Sequence, residues 1–104
     1  MPCAGITTSR RSGNTTAFAE LNMYFLMHSM IVVGSQYWNE CYGDTPDEMK
    51  HDTEGLQTMR TLAVNMNYVM KCLNELPKPI RTEKHIHTNF ISREYLKLVE
   101  KNGV

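Results

Sequence analysis

Apolar and polar positions run along the chain in blocks, and most blocks carry the period of one element. "CAGITT" (3–8) is short, small and β-branched, and reads as a buried strand. The polar stretch "TTSRRSGNTT" (7–16) follows it. From Thr15 or Thr16 the spacing turns helical: Phe18, Leu21, Phe25 and His28 form one stripe. Met23, Leu26, Met27 and Met30 broaden it, so this helix is expected to be covered on more than one side. "MIVVG" (30–34) is an apolar, β-branched run closed by glycine, the pattern of a central strand. "SQYWNECYGDTPDEMKHD" (35–52) reads as a long aromatic and polar connection, within which Thr45-Pro46-Asp47-Glu48 has capping-box form and predicts a short turn of helix. After a cap at Asp52 or Thr53, Leu56, Met59, Ala63, Met66, Met70 and Cys72/Leu73 recur at three- and four-residue steps. Leu62, Val69 and Leu76 widen that stripe, while Gln57, Arg60, Asn67, Lys71 and Asn74 face away. The pattern predicts a long amphipathic helix ending before Pro77. "PKPIRTEKHIHTNFI" (77–91) reads as extended, and Ser92 can cap a last helix, "REYLKLVEKN", stopped by Gly103.

The order strand, loop, helix, strand implies a parallel pair joined by a right-handed crossover. The cationic loop then lies at the carboxyl end of the first strand, the edge at which open α/β sheets bind ligands. Two strands make a poor sheet by themselves, and a pair this apolar needs neighbours and cover on both faces. The expected organisation is an α/β unit over residues 1–76 (the partial sheet and its helices) and an extended tail with a short terminal helix over 77–104.

Composition narrows the function. At 104 residues the chain supports one domain, near the lower end of comfortable core size. Lys+Arg and Asp+Glu are both 11, so the net field argues for neither nucleic-acid nor membrane affinity. Eight methionines suit gap-filling in a core or an adaptable surface. The three cysteines, Cys3, Cys41 and Cys72, are widely spaced with no CxxC, which fits a reducing cytoplasm better than secretion. Met1 to Arg11 lacks the pattern of a signal peptide, and the apolar stretch 17–33 is broken by Glu20, Asn22 and His28, so no membrane span is expected.

"ITTSRRSGNTT…HSMIVVGSQYW" followed by "YGDTPDEMKHDTEGLQTMRTLAVNMNYVMKCL" resembles the carboxyl-terminal half of the flavodoxin-like NAD(P)H-dependent FMN reductases, nearest the branch of multimeric flavodoxins and iron–sulfur flavoproteins. The likeness runs over residues 3 to 91 and includes "TNFI" at 88–91. It implies a fold of β-α-β-α plus an extended tail, half of a flavodoxin-like parallel sheet, completed by oligomerisation. In that family the loop after the fourth strand runs beside the flavin ring. Ser9, Arg10, Gly13 and Thr16 keep the family's residue types, whereas Ser12 stands for a glycine, Asn14 for a glutamine, Thr15 for a glutamate and Ser29 for a further glycine. The resemblance therefore implies FMN as cofactor, NAD(P)H as co-substrate, and contacts to the flavin from Ser9, Arg10, Arg11, Ser12, Gly13 and Asn14. The family's phosphate-cradling strand and loop, and the cysteine cluster of the iron–sulfur branch, have no counterpart in these residues.

Two readings follow. In one, the chain is part of an FMN-dependent NAD(P)H oxidoreductase that positions and tunes the flavin, with no side chain acting as acid or base. In the other, it is a non-catalytic half-domain acting through homo-oligomerisation or a partner chain that supplies the missing half. Tyr37 and Trp38 suit packing over a flavin, an interface or a core. His85 and His87 read as exposed tail histidines, His28 as a core or interface histidine, and Cys41 has no neighbour in sequence that would activate it.

Overall fold

The computed structural model describes residues 1–77, 83–88 and 93–101. Most of the sequence expected to be extended at 77–91 is covered only at 77 and 83–88, and the Ser92 cap and the Gly103 stop lie outside the described residues. The last helix is present as α4 (Arg93–Lys101).

The strands form two short parallel pairs. β1 (Pro2–Cys3) pairs in parallel with β3 (Ile31–Val32), and β2 (Thr7–Ser9) pairs in parallel with β4 (Glu40–Tyr42). The fold class is thus α/β with short parallel strands, consistent with a partial flavodoxin-like sheet. The connection 35–52 holds a strand that its polar "ECY" had hidden. The chain leaves the sheet after Val33 and is brought back by Asn39, which is fully buried. Asn39 Nδ2 donates to the Gly5 carbonyl at 3.1 Å, and its own carbonyl accepts the Thr7 N–H at 3.0 Å. A side-chain amide thereby bridges the gap between the two ladders, in place of a backbone pair.

Consecutive strand residues point to opposite faces, and β4 shows which helix takes which. Glu40 accepts a hydrogen bond from Thr15 in α1 (Asn14–Met27), whereas Cys41 sits against Gly55 in α3 (Thr53–Glu75). The two helices therefore lie on opposite faces. Gly13 precedes α1 with φ 91°, a left-handed conformation that glycine adopts without steric cost. At the other end Ser29 carries φ 58°, just past the carboxyl cap, where glycine is ordinarily found.

The sequence pattern reads the two caps correctly. Thr45 accepts the Glu48 N–H and opens α2 (Pro46–Met49); Asp52 accepts the Gly55 N–H and opens α3. The stripe along α3 differs. Its buried positions are Gly55, Thr58 and Leu62, whereas Ala63 and Met70 are exposed. α1 likewise exposes Met23, Tyr24, Leu26 and Met27 instead of burying a second side. Among the described residues only Val33, Cys41 and Leu62 form a buried apolar core. The accessible surface is 8934 Å², against roughly 6,000 Å² for a compact monomer of this mass. The radius of gyration of 19.8 Å likewise exceeds the roughly 13 Å of a compact chain of this length. Several apolar side chains that the pattern marks as core, among them Met23, Leu26, Met27 and Met70, are exposed.

Candidate functional site

The loop between β2 and α1 sits where the sequence places it, at the carboxyl ends of two parallel strands. The Gly43 N–H, just past β4, donates to the Ser9 carbonyl at 3.0 Å and ties those ends together. Arg10, Arg11, Ser12 and Gly13 are exposed. Beside them the first turn of α1 holds no acidic residue and no side-chain cap, and none of its first N–H groups, from Asn14 to Thr16, is hydrogen-bonded among the described residues. Those dipoles and the two guanidiniums make this edge attractive to negative charge and to carbonyl oxygens.

Two of the expected site residues are placed differently from the rest. Asn14 is 2 % exposed and donates from Nδ2 to the Cys41 carbonyl at 3.1 Å. Its own carbonyl accepts from Thr7 Oγ1. Asn14 therefore fastens α1 to both strands, and its amide is turned into the fold. Ser9 Oγ is buried with no hydrogen-bond partner among the described residues, an unmet polar group at the root of the loop.

Below the loop, a cleft of about 260 Å³ opens between Thr15, Glu40, Tyr42, Asp52 and Thr58. Glu40 is 6 % exposed and no cation pairs with it among the described residues. Its oxygens accept from Thr15 Oγ1 at 2.8 Å and Tyr42 Oη at 2.9 Å. That hydrogen bond, with a smaller contribution from burial, holds the Tyr42 hydroxyl above its ordinary range. No sequence signal marked Glu40, since a lone carboxylate in a polar segment reads as solvated. A second, more apolar cleft of about 500 Å³ lies between Phe18, Asn22 and Trp38. Trp38 tilts against Phe18 and Tyr37, at ring-centroid distances of 5.7 and 6.1 Å, and both Tyr37 and Trp38 are exposed.

His85 and His87 are exposed and stack at 4.3 Å, and His28 is exposed at the carboxyl cap of α1, not buried in a core. No group of three or more His, Cys, Asp or Glu able to hold a metal occurs among the described residues, so the cysteines present do not fit an iron–sulfur cluster. No helix among them is long and apolar enough to cross a membrane. Burial, reinforced by Asp52, raises the Cys41 thiol above its ordinary value, which leaves it largely as unreactive thiol. In the native protein Cys41 should react with a thiol reagent at least about 100-fold more slowly than half-buried Cys3 and Cys72. Three equal rates would refute the packing of β4 on α3.

No protein-family model and no solved structure matches the chain. It is similar to an iron–sulfur flavoprotein of Methanocaldococcus jannaschii, 35% identical over 75 residues that make up 67% of this chain and 39% of that protein. The matched region thus spans about two fifths of that relative's length. With the parallel α/β sheet and its cationic loop, this similarity supports a flavodoxin-like flavoprotein relationship and no finer assignment.

Proposed function

We propose that the chain contributes one wall of an FMN site in an NAD(P)H-dependent oxidoreductase, with the loop from Ser9 to Gly13 lying along an edge of the flavin ring. The observation that carries this is the placement of the loop at the carboxyl edge of a parallel sheet, in a chain similar to a flavoprotein. The residues present fit the ring's polar edge: free N–H groups at the start of α1, two exposed guanidiniums and the unpartnered Ser9 Oγ. Asn14 serves this site from behind, by fixing where α1 begins.

A bound flavin supplies the hydride-transfer chemistry, and the protein's part is to place and tune it. Arg10, Arg11 and the helix dipole favour negative charge at the loop, which raises the reduction potential of a group whose reduced form is more electron-rich there. Glu40 opposes this from the cleft below. No side chain here is required to act as acid or base. The remainder of such a site, including a cradle for the phosphate, comes from another polypeptide or a second copy.

A titration of the purified chain with FMN, followed by flavin fluorescence, tests the reading. Binding is expected to be weak, and the double substitution Arg10→Ala/Arg11→Ala should weaken it about tenfold or more, since two charge-assisted contacts are lost. Riboflavin should compete nearly as well as FMN, because the loop holds the ring. No binding at all, or equal binding by the double variant, would overturn the proposal.

A further inference from the structure

We infer that the cleft beside Glu40 is a binding site for a small organic dication, a short alkyl chain carrying an ammonium group at each end. This is independent of what the loop binds. The cleft is lined by the start of α1, the segment from Tyr37 to Tyr42 and the start of α3, and by no residue of β1 or β2. It therefore opens on the side of β4 turned away from β2. Its volume of about 260 Å³ lies just below the range of drug-sized pockets, so its ligand is smaller than those.

Glu40 carries the argument. It is 6 % exposed, and a buried charge is ordinarily paired or bound to a metal. Here no Lys, Arg or His pairs with it among the described residues. Only the neutral hydroxyls of Thr15 and Tyr42 donate to its carboxylate. A carboxylate has about four lone-pair sites, which leaves about two without a partner on the wall of the cleft.

The other lining side chains fix the polarity of the ligand. Thr15 and Tyr42 direct their hydroxyl protons at Glu40, and Thr58, 2 % exposed, directs its own at the Glu54 carbonyl. Asp52 accepts the N–H groups of Tyr42 and Gly55. Apart from the exposed Tyr37, the side chains around the cleft thus offer acceptors and no free donor. The group that completes them brings several N–H donors and no acceptor, which is the inventory of an ammonium.

Charge sets the number of such groups. Glu40, Asp52 and Glu54 bring three carboxylates to the cleft, and Arg10 and Arg11 do not line it. The first turns of α1 and α3 border it, each carrying roughly half a positive charge. About two negative charges remain, matched by two ammonium groups. The three carboxylates do not form a group able to hold a metal ion, so the matching charge is spread along a chain and not centred on one ion. Tyr37 and Tyr42 add aromatic rings to the walls, surface that attracts ammonium groups and covers the alkyl chain between them.

Isothermal titration of the purified chain with 1,4-diaminobutane at about pH 7, where both amines are protonated, is expected to show saturable binding at one site. 1,4-Butanediol, of the same length and uncharged, should bind at least about 100-fold more weakly, since two charge-assisted contacts are missing. Glu40→Gln should weaken the diamine at least about tenfold. Because that variant alters a buried, hydrogen-bonded group and can unfold, Glu54→Gln at an exposed position is the second test. It should weaken 1,4-diaminobutane about threefold or more and leave 1-aminobutane unchanged. No saturable binding, equal binding of the diol, or an affinity for the diamine unchanged in either folded variant would overturn the inference. So would displacement of the diamine by an equal concentration of Mg²⁺, the mark of a metal site.

Discussion

Gly55→Ala is expected to lower the thermal unfolding midpoint by roughly 10–20 °C, the equivalent of about 2–3 kcal/mol in a domain of this size. The reason is a convergence at one backbone position. A Cβ on Gly55 would meet the carboxylate of Asp52 and come within 3.0 Å of Cys41 Sγ. Asp52 cannot simply yield. Its Oδ1 caps α3 through the Gly55 N–H at 3.0 Å, and its Oδ2 accepts the Tyr42 N–H at 2.8 Å, joining the helix to the end of β4. Moving it forfeits the cap and the bridge together, and Cys41 on the other side belongs to the small buried core. Asp52→Ala loses the same two bonds without the collision and should cost less, about 1–2 kcal/mol. Should Gly55→Ala melt within a few degrees of the wild type, the close seating of α3 on β4 would be disproved.

Asn14→Asp should be more damaging at neutral pH, by about 3 kcal/mol or more, although the two side chains have nearly the same shape. The substitution replaces an N–H donor with a carboxylate oxygen facing the Cys41 carbonyl, at a position 2 % exposed. A buried, unpaired charge costs several kcal/mol. The sign with pH is fixed. Burial raises the folded-state pKa of the new carboxyl above its unfolded value of about 3.9, because the protonated form can donate to the carbonyl. Below that value the variant recovers most of its stability, and the deficit grows as pH rises through the window between the two pKa values. Urea midpoints measured from acid to neutral pH check this. A pH-independent difference from the wild type would remove Asn14 from its role as the pin of the loop.

How far the chain could be read from its letters depends on where each signal resides. The long helix, the Thr45 and Asp52 caps and the cationic loop are local, so residues a few positions apart declare them. β4 is not local. Glu40–Tyr42 is a strand only because Asn39 reaches back to Gly5, more than thirty residues away, and because Thr15 and Tyr42 satisfy Glu40. A polar tripeptide holds no trace of those partners. The α3 stripe was legible as apolar but not as buried: periodicity reports which residues seek cover, and within the described residues Met59 and Met66 find it only in part while Ala63 and Met70 stay exposed. At the loop, the sequence marked one segment as a whole and could not separate Asn14, which is buried, from Arg10 to Gly13, which are exposed.

The interruption between β3 and β4 has a use beyond the native protein. Backbone register on either side is set by Val33 on Cys3 and by Asn39 on Gly5 and Thr7, and the segment between them is braced by side chains, Ser35 on Tyr37 and Asn39 and Gln36 on Gln57 and Thr61. A peptide grafted between Gln36 and Tyr37 would give up the Ser35 bonds to Tyr37 and Asn39 yet lengthen an exposed excursion without sliding Cys41 past Thr8, since Asn39 keeps its bonds to Gly5 and Thr7. Most sheets punish an insertion within a strand by flipping every following side chain to the other face. Here the excursion acts as an expansion joint in the sheet, into which a reporter or an affinity epitope can be written while both faces keep their helices.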